Sequence, residues 1–199
     1  MSVTLIAVGI DNYFISSEPM IESVRIHEPK ARIILVDNKA DVPYPREKGV
    51  EIRRLGTRVC MSTAMNQGAA GVRSDWLIFS NNDIICTAPF IQMVNGLNKG
   101  AIYGVDLLNW WGRSWLDGWV MAIPRRIWEQ VGLFDDNFLY AGFEDADYCF
   151  RVRQAGFGVE AVNLPFIHTE LHSRFSMPGY MEQREANIKY LAKKWDMTI

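Results

Sequence analysis

A chain of 199 residues, 49% apolar and with a formal charge of −2, suits one domain with a substantial core. This balance excludes a disordered chain and gives no global attraction to nucleic acid or acidic membranes, although a local basic patch stays open. The three cysteines, Cys60, Cys86 and Cys149, lie far apart without metal-type spacing and read as buried thiols in a reducing compartment. No run reaches the length of a membrane span. Residues 3–10 lack the basic start of a leader, so a cytoplasmic protein is expected.

In chain order, residues 3–8 are β-rich and almost continuously apolar, as a strand covered on both faces should be. Residues 12–27 carry Phe14, Ile15, Met20, Ile21 and Val24 at helical intervals, and Glu28-Pro29 ends that helix. Residues 31–36 form a second buried strand that stops at Asp37-Asn38. This βαβ opening predicts a parallel sheet, and such sheets take ligands beyond the carboxyl ends of their strands. Gly9, Asp11 and Asp37 stand at those ends. A short strand is expected over 50–55 and a small-residue helix over 62–71, with Ser62 as its cap. The strand at 76–79 runs straight into Ser80-Asn81-Asn82-Asp83. A helix over 89–97 and a strand over 101–105 follow.

From Leu107 the texture changes. Trp110, Trp111, Trp115 and Trp119 are interleaved with Gly and polar residues, and an aromatic face complements the C–H face of a sugar. Buried scaffold indoles are the competing reading. A strand over 119–124, a helix over 125–131 closed by Gly132, a strand over 158–162 and a histidine at 168 come next. Polar residues 169–179 suit a flap, and residues 180–197 an amphipathic closing helix.

Residues 142–153 are the centre of the pattern. As a helix they place Phe143, Ala146, Cys149 and Phe150 on one side and Glu144, Asp147 and Arg151 on the other, with Asp145 on the flank. Acids in a first turn stabilise the helix dipole, and Asp147 with Arg151 makes an ordinary i,i+4 pair. Catalysis is suggested by the company this helix keeps: Asn81-Asn82-Asp83 before it, Gly132-Leu133-Phe134-Asp135 beside it and His168 after it.

Together these segments, with Asn66-Gln67-Gly68 and the stretch from Gly118 to Arg126, resemble the GT-A glycosyltransferases. The resemblance is nearest to glycosyltransferase family 2, over residues 3–168. It implies a Rossmann-like, mostly parallel α/β domain with a nucleotide-sugar half (1–83) and an acceptor and catalytic half (84–199). It further implies an inverting transfer from a UDP- or TDP-sugar, with Gly9, Asp11, Asp37, Asn66, Asn81 and Asn82 on the donor. Asp83 matches the second acid of the family's DxD motif and His168 its late metal ligand, so Mn²⁺ or Mg²⁺ is the implied cofactor. Asp145 matches the general base, with Glu144 the other candidate. Trp110, Trp111, Asp117 and Trp119 are the acceptor candidates.

Asn81 stands where the family's first DxD acid is usual. Fewer charged oxygens hold a hard cation less firmly, so the diphosphate must supply much of the coordination. Two rivals follow from the same residues: a nucleotidyltransferase, and a degenerate nucleotide- or sugar-binding module. The first would carry a basic glycine-rich loop after strand one, which Gly9-Ile10-Asp11-Asn12 is not. The acceptor stays open among saccharide, lipid-linked sugar, protein and modified nucleic acid.

Overall fold

The computed structural model describes residues 1–169 and 179–198. The expected flap falls mainly on residues 170–178, outside the described residues. The first half runs β1 (Val3–Gly9), α1 (Glu18–His27), β2 (Arg32–Asp37), β3 (Val50–Arg54), α2 (Met61–Ala69) and β4 (Trp76–Asn81). The second runs β5 (Ile84–Cys86), α3 (Ile91–Gly96), β6 (Ala101–Gly104), β7 (Leu107–Trp110), β8 (Arg113–Leu116), β9 (Val120–Pro124) and α4 (Arg125–Val131). It closes with α5 (Glu144–Gln154), β10 (Gly158–Ala161), β11 (Phe166–His168) and α6 (Tyr180–Trp195).

Seven strands form one sheet in the order β10-β6-β9-β4-β1-β2-β3. Neighbours pair in parallel except around β9, which runs antiparallel to both β4 and β6. This is the mostly parallel α/β sheet that the βαβ opening predicts. The chain leaves β1 toward β2 and β3, then crosses back to place β4 on the other side. That reversal opens a crevice beyond the carboxyl ends of β1 and β4. Register brings Gly9 opposite Asp37 and Val8 opposite Asn81, so the polar strand ends share one level.

Strand alternation divides the core between the two faces. Leu5, Ala7, Trp76 and Ile78 pack with α1 and the Phe90 region on one face. Ile6, Val8, Leu77 and Phe79 pack with α2, α4 and α5 on the other. The small residues of α2 have a local cause: a Cβ on Gly68 would lie 2.6 Å from Ile6 and 2.8 Å from Val36, so only glycine lets the helix lie this close to the sheet.

Four sequence expectations are corrected. The helix over 12–27 is a wide π-type turn, Tyr13–Ser17, followed by α1, which begins where Pro19 can occupy its first turn. Ser62 caps nothing: α2 starts at Met61 after Cys60, and the Ser62 hydroxyl is buried inside the helix. The tryptophan-rich stretch contains a hairpin, β7–β8, with Trp110 paired to Arg113. The Asp147–Arg151 pair is no exposed ion pair, because Asp147 is fully buried and also meets Lys194 at 2.7 Å and the Trp195 indole N–H at 2.9 Å. Among the described residues no helix is long and apolar enough to cross a membrane.

Candidate active site

One cleft opens beyond the carboxyl ends of β1, β2 and β4, closed on its far side by the start of α5. Its wall on the β2 side is built by Asp11, Asn38, Arg58 and Val59. The Arg58 guanidinium meets Asp11 at 3.1 Å. The Asn38 side chain is held by the Val59 backbone, donating to its carbonyl at 2.8 Å and accepting its N–H at 2.9 Å. Asp37 is fully buried and does not line the cleft. Its carboxylate accepts the N–H groups of Ala40 and Tyr44 and pairs with Arg54, so it fixes the loop after β2.

The floor is Asn81, Asn82 and Asp83 with His168. β11 pairs antiparallel to β5 with His168 opposite Ile84, which returns the histidine to the end of β4. The Asp83 carbonyl accepts the Thr169 N–H at 2.9 Å and its hydroxyl at 2.8 Å, pinning the hairpin. His168 Nε2 lies 3.1 Å from Asp83 Oδ1 and 3.2 Å from Asn81 Nδ2. Trp119 stacks on the histidine ring, with centroids 5.2 Å apart and 3° between planes. Its indole N–H donates to Asp106 at 2.9 Å, so the ring beneath the histidine is itself fixed.

A carboxylate oxygen and an imidazole nitrogen side by side are ligands for a divalent cation. Their spacing is close to the edge of about 3 Å that neighbouring ligands of a small octahedral ion span at ~2.1 Å each. Among the described residues no group of three or more His, Cys, Asp or Glu is placed to hold a metal ion. Protein and ligand oxygens would therefore have to share the coordination.

The far wall is acidic. Asp117, Glu144 and Asp145 line it beside Gly118. Asp145 accepts the Gly118 N–H at 2.9 Å through Oδ2 and the Ala146 N–H at 2.8 Å through Oδ1. A Cβ on Gly118 would come within 2.9 Å of Asp145 Cβ, so glycine is what permits this contact. Burial raises the pKa of the Asp145 carboxyl above the usual carboxylate range, and the charge of Asp117 adds to it. Burial also raises that of Glu144, with Asp145 the next contributor. Glu144 accepts the Gly142 N–H. The strand-end side of this wall is the loop at 140–142, including Tyr140 and Gly142.

The cleft thus gathers Asp11, Asn81, Asn82, Asp83 and His168 from the expected set, together with Asp117, Trp119, Glu144 and Asp145. Other expected residues stand outside it. Gly9 keeps close quarters with Tyr44 and Asn82, since a Cβ there would lie 2.4 Å from the tyrosine oxygen. Asn66 brackets the Phe134 backbone, donating at 2.9 Å and accepting at 3.0 Å. Trp110 and Trp111 sit at the tip of the β7–β8 hairpin against Phe143. Sequence reasoning missed Arg58; its position in the loop after β3, at a carboxyl strand end, was the available signal.

No protein-family model and no curated protein matches the sequence. Solved structures do match the fold. The mannosyltransferase PcManGT from Pyrobaculum calidifontis, in complex with GDP-Man and Mn²⁺, aligns over 99% of this chain and 65% of its own, at TM-score 0.68 and 10% identity. GalNAc-T7 with UDP, GalNAc and Mn²⁺ aligns over 79% and 41%, at 0.67 and 14% identity. S. aureus TarS aligns over 81% and 35%, at 0.61 and 8% identity. The chain spans less than two thirds of each of these longer proteins. At such identities the likeness concerns architecture, and the architecture is α/β of the GT-A type.

Proposed function

We propose that the chain is an inverting, metal-dependent glycosyltransferase akin to family 2, moving a sugar from a UDP- or TDP-sugar to an acceptor hydroxyl. The observation that carries this reading is that Asp145 lines the same cleft as the Asp83–His168 pair. Glycosyl transfer needs a held donor, a stabilised leaving diphosphate and a base, and the cleft has residues for each. Two of the matched folds were solved with a nucleotide and Mn²⁺, which is consistent with a similar ligand set here.

On this reading Asp83 and His168 hold Mn²⁺ or Mg²⁺ together with donor oxygens. When bound, the cation offsets the charge that grows on the leaving diphosphate. Asn81 and Asn82 line the floor without adding negative charge, so they bring no repulsion against the phosphates. Asp145 takes the proton from the attacking hydroxyl. The Gly118 and Ala146 N–H groups aim its carboxylate, and its raised pKa makes it a stronger base than an ordinary carboxylate. Asp117 and Trp119 border the incoming acceptor.

Two variants test the roles separately. Asp145→Asn should keep nucleotide affinity while lowering transfer by ~10²–10⁴-fold, the usual worth of a placed proton acceptor. Asp83→Ala should weaken Mn²⁺-dependent binding of a nucleoside diphosphate in calorimetry. Unchanged affinity in the second, or normal turnover in the first, removes that residue from the mechanism.

A further inference from the structure

The hairpin β7–β8 turns through two residues, Trp111 and Gly112, between the paired Trp110 and Arg113. Both turn residues are left-handed, with φ of 52° and 69°, which is a type I′ turn. Asn-Gly is the favoured filling of such a turn. A bulky aromatic at the first position is strained, and strain of this kind points toward function when the surroundings maintain it. The surroundings here are aromatic. Trp111 stacks on the buried Trp115 at 6.4 Å and 18°, and Trp110 meets both edge-on. The two tip indoles stay 44% and 38% exposed.

Over this platform lies Arg184 of α6. Its guanidinium carbon sits 5.5 Å from the Trp110 ring and 5.2 Å from Phe143. Among the described residues no hydrogen bond or ion pair engages this guanidinium, which lies over the two rings. Phe143 is the residue immediately before Glu144 and Asp145. The platform is therefore joined to the base end of the cleft through one short stretch of backbone.

We infer that Trp110, Trp111 and Arg184 form a subsite for an anionic saccharide, with the sugar's C–H face on the indoles and its carboxylate or phosphate on the guanidinium. This rests on the glycosyltransferase reading in one respect only, that the saccharide bound here is the acceptor. Planar bidentate pairing suits arginine to either anion. The charge also bears on the cleft: its far wall is acidic and repels an anionic acceptor, and Arg184, packed on Phe143, supplies an opposing attraction.

The test is direct binding to the whole chain, without donor or transfer, using an oligosaccharide of alternating uronic acid, its carboxyl-reduced neutral counterpart, and a pyranose-phosphate oligomer. At least one anionic probe should bind about tenfold more tightly than the neutral one, the size of a charge-assisted contact. Arg184→Gln should erase that preference. Trp111→Asn should lower affinity for every bound probe by roughly three- to tenfold, while leaving Tm unchanged or higher because the turn is relieved. Which anionic probe binds identifies the anion. Equal affinity for charged and neutral probes, or binding that neither variant changes, overturns the subsite. A fall in Tm with Trp111→Asn would make the indole a scaffold residue and also overturn it. Because no transfer is read, these outcomes leave the tests of Asp83 and Asp145 untouched.

Discussion

Glu144 and Asp145 are adjacent in sequence and both protonate more readily than free carboxyls, yet they ask for different experiments. Glu144 is almost wholly buried, and its folded pKa is raised above its unfolded value. The folded protein therefore binds that proton more tightly, and stability falls as pH rises from the ordinary carboxylate range through the raised value. Glu144→Gln keeps an oxygen for the Gly142 N–H and removes the titration. Its Tm should match or fall below wild type near pH 4 and exceed it at pH 8 by roughly 4 °C, the shift that ~1–2 kcal/mol produces in a chain this size. Calorimetric scans at the two pH values check this; a constant difference would mean the carboxyl does not titrate as its burial requires. Asp145 should show its raised pKa in turnover, with transfer increasing with pH past the usual carboxylate range. At this scale the resemblance marked Asp83, Asp145 and His168, and the structure brings all three to one cleft. The resemblance also put Asp37 and Asn66 on the donor, whereas Asp37 is buried and paired with Arg54 from the next strand and Asn66 holds the Phe134 backbone 68 residues away.

Among the elements, α6 has the least obvious place in the chemistry and makes some of the firmest contacts. Asn187, 1% exposed, accepts the Leu139 N–H at 2.8 Å and donates to the carbonyls of Leu139 and Gly142 at 2.8 and 3.1 Å. The loop it brackets contains Tyr140, Gly142 and Phe143 at positive φ, a costly backbone path that needs such support. Further along, Lys194 joins Asp135 at 2.6 Å to Asp147 at 2.7 Å. α6 thereby holds both the cleft rim and the helix that bears Asp145. Asn187→Ala should cost ~2–3 kcal/mol, since it strands buried backbone groups, and hydrogen exchange at the Leu139 amide should accelerate. Protection equal to wild type would show that the rim holds itself. Periodicity found α6, α4 and α5 because their apolar spacing is strong. The hairpin β7–β8 escaped because its aromatic residues signal burial and exposure equally, and the π-type turn before α1 escaped because its apolar residues keep helical spacing.

The sheet order was legible only in part. Continuous apolar strands announced a parallel sheet, but nothing local in residues 119–124 says that this strand runs backwards between β4 and β6. That arrangement shapes the cleft, since it brings the start of β9, next to Gly118 and Trp119, to the carboxyl end of β4. On the proposed reading, with Asp83 and His168 as the protein's ligands, Mn²⁺ alone should stabilise the fold little. Mn²⁺ with UDP should stabilise it by about 2.7 kcal/mol at one hundred times the dissociation constant. A thermal-shift series with metal, nucleotide and both distinguishes these cases, and an equal shift from metal alone would contradict a shared coordination shell. The reversed strand has another consequence. Because β9 supplies the hydrogen-bonding partner along one side of β4, a fragment ending after residue 83 would leave that side as a bare edge with the apolar run 76–79. Such a fragment should clump when expressed alone, and supplying residues 84–199 as a separate polypeptide should restore solubility. The two halves named by their ligands are then not separable pieces of protein, because they are stitched into one fabric along β4 and β9 and through the cores on both faces of the sheet.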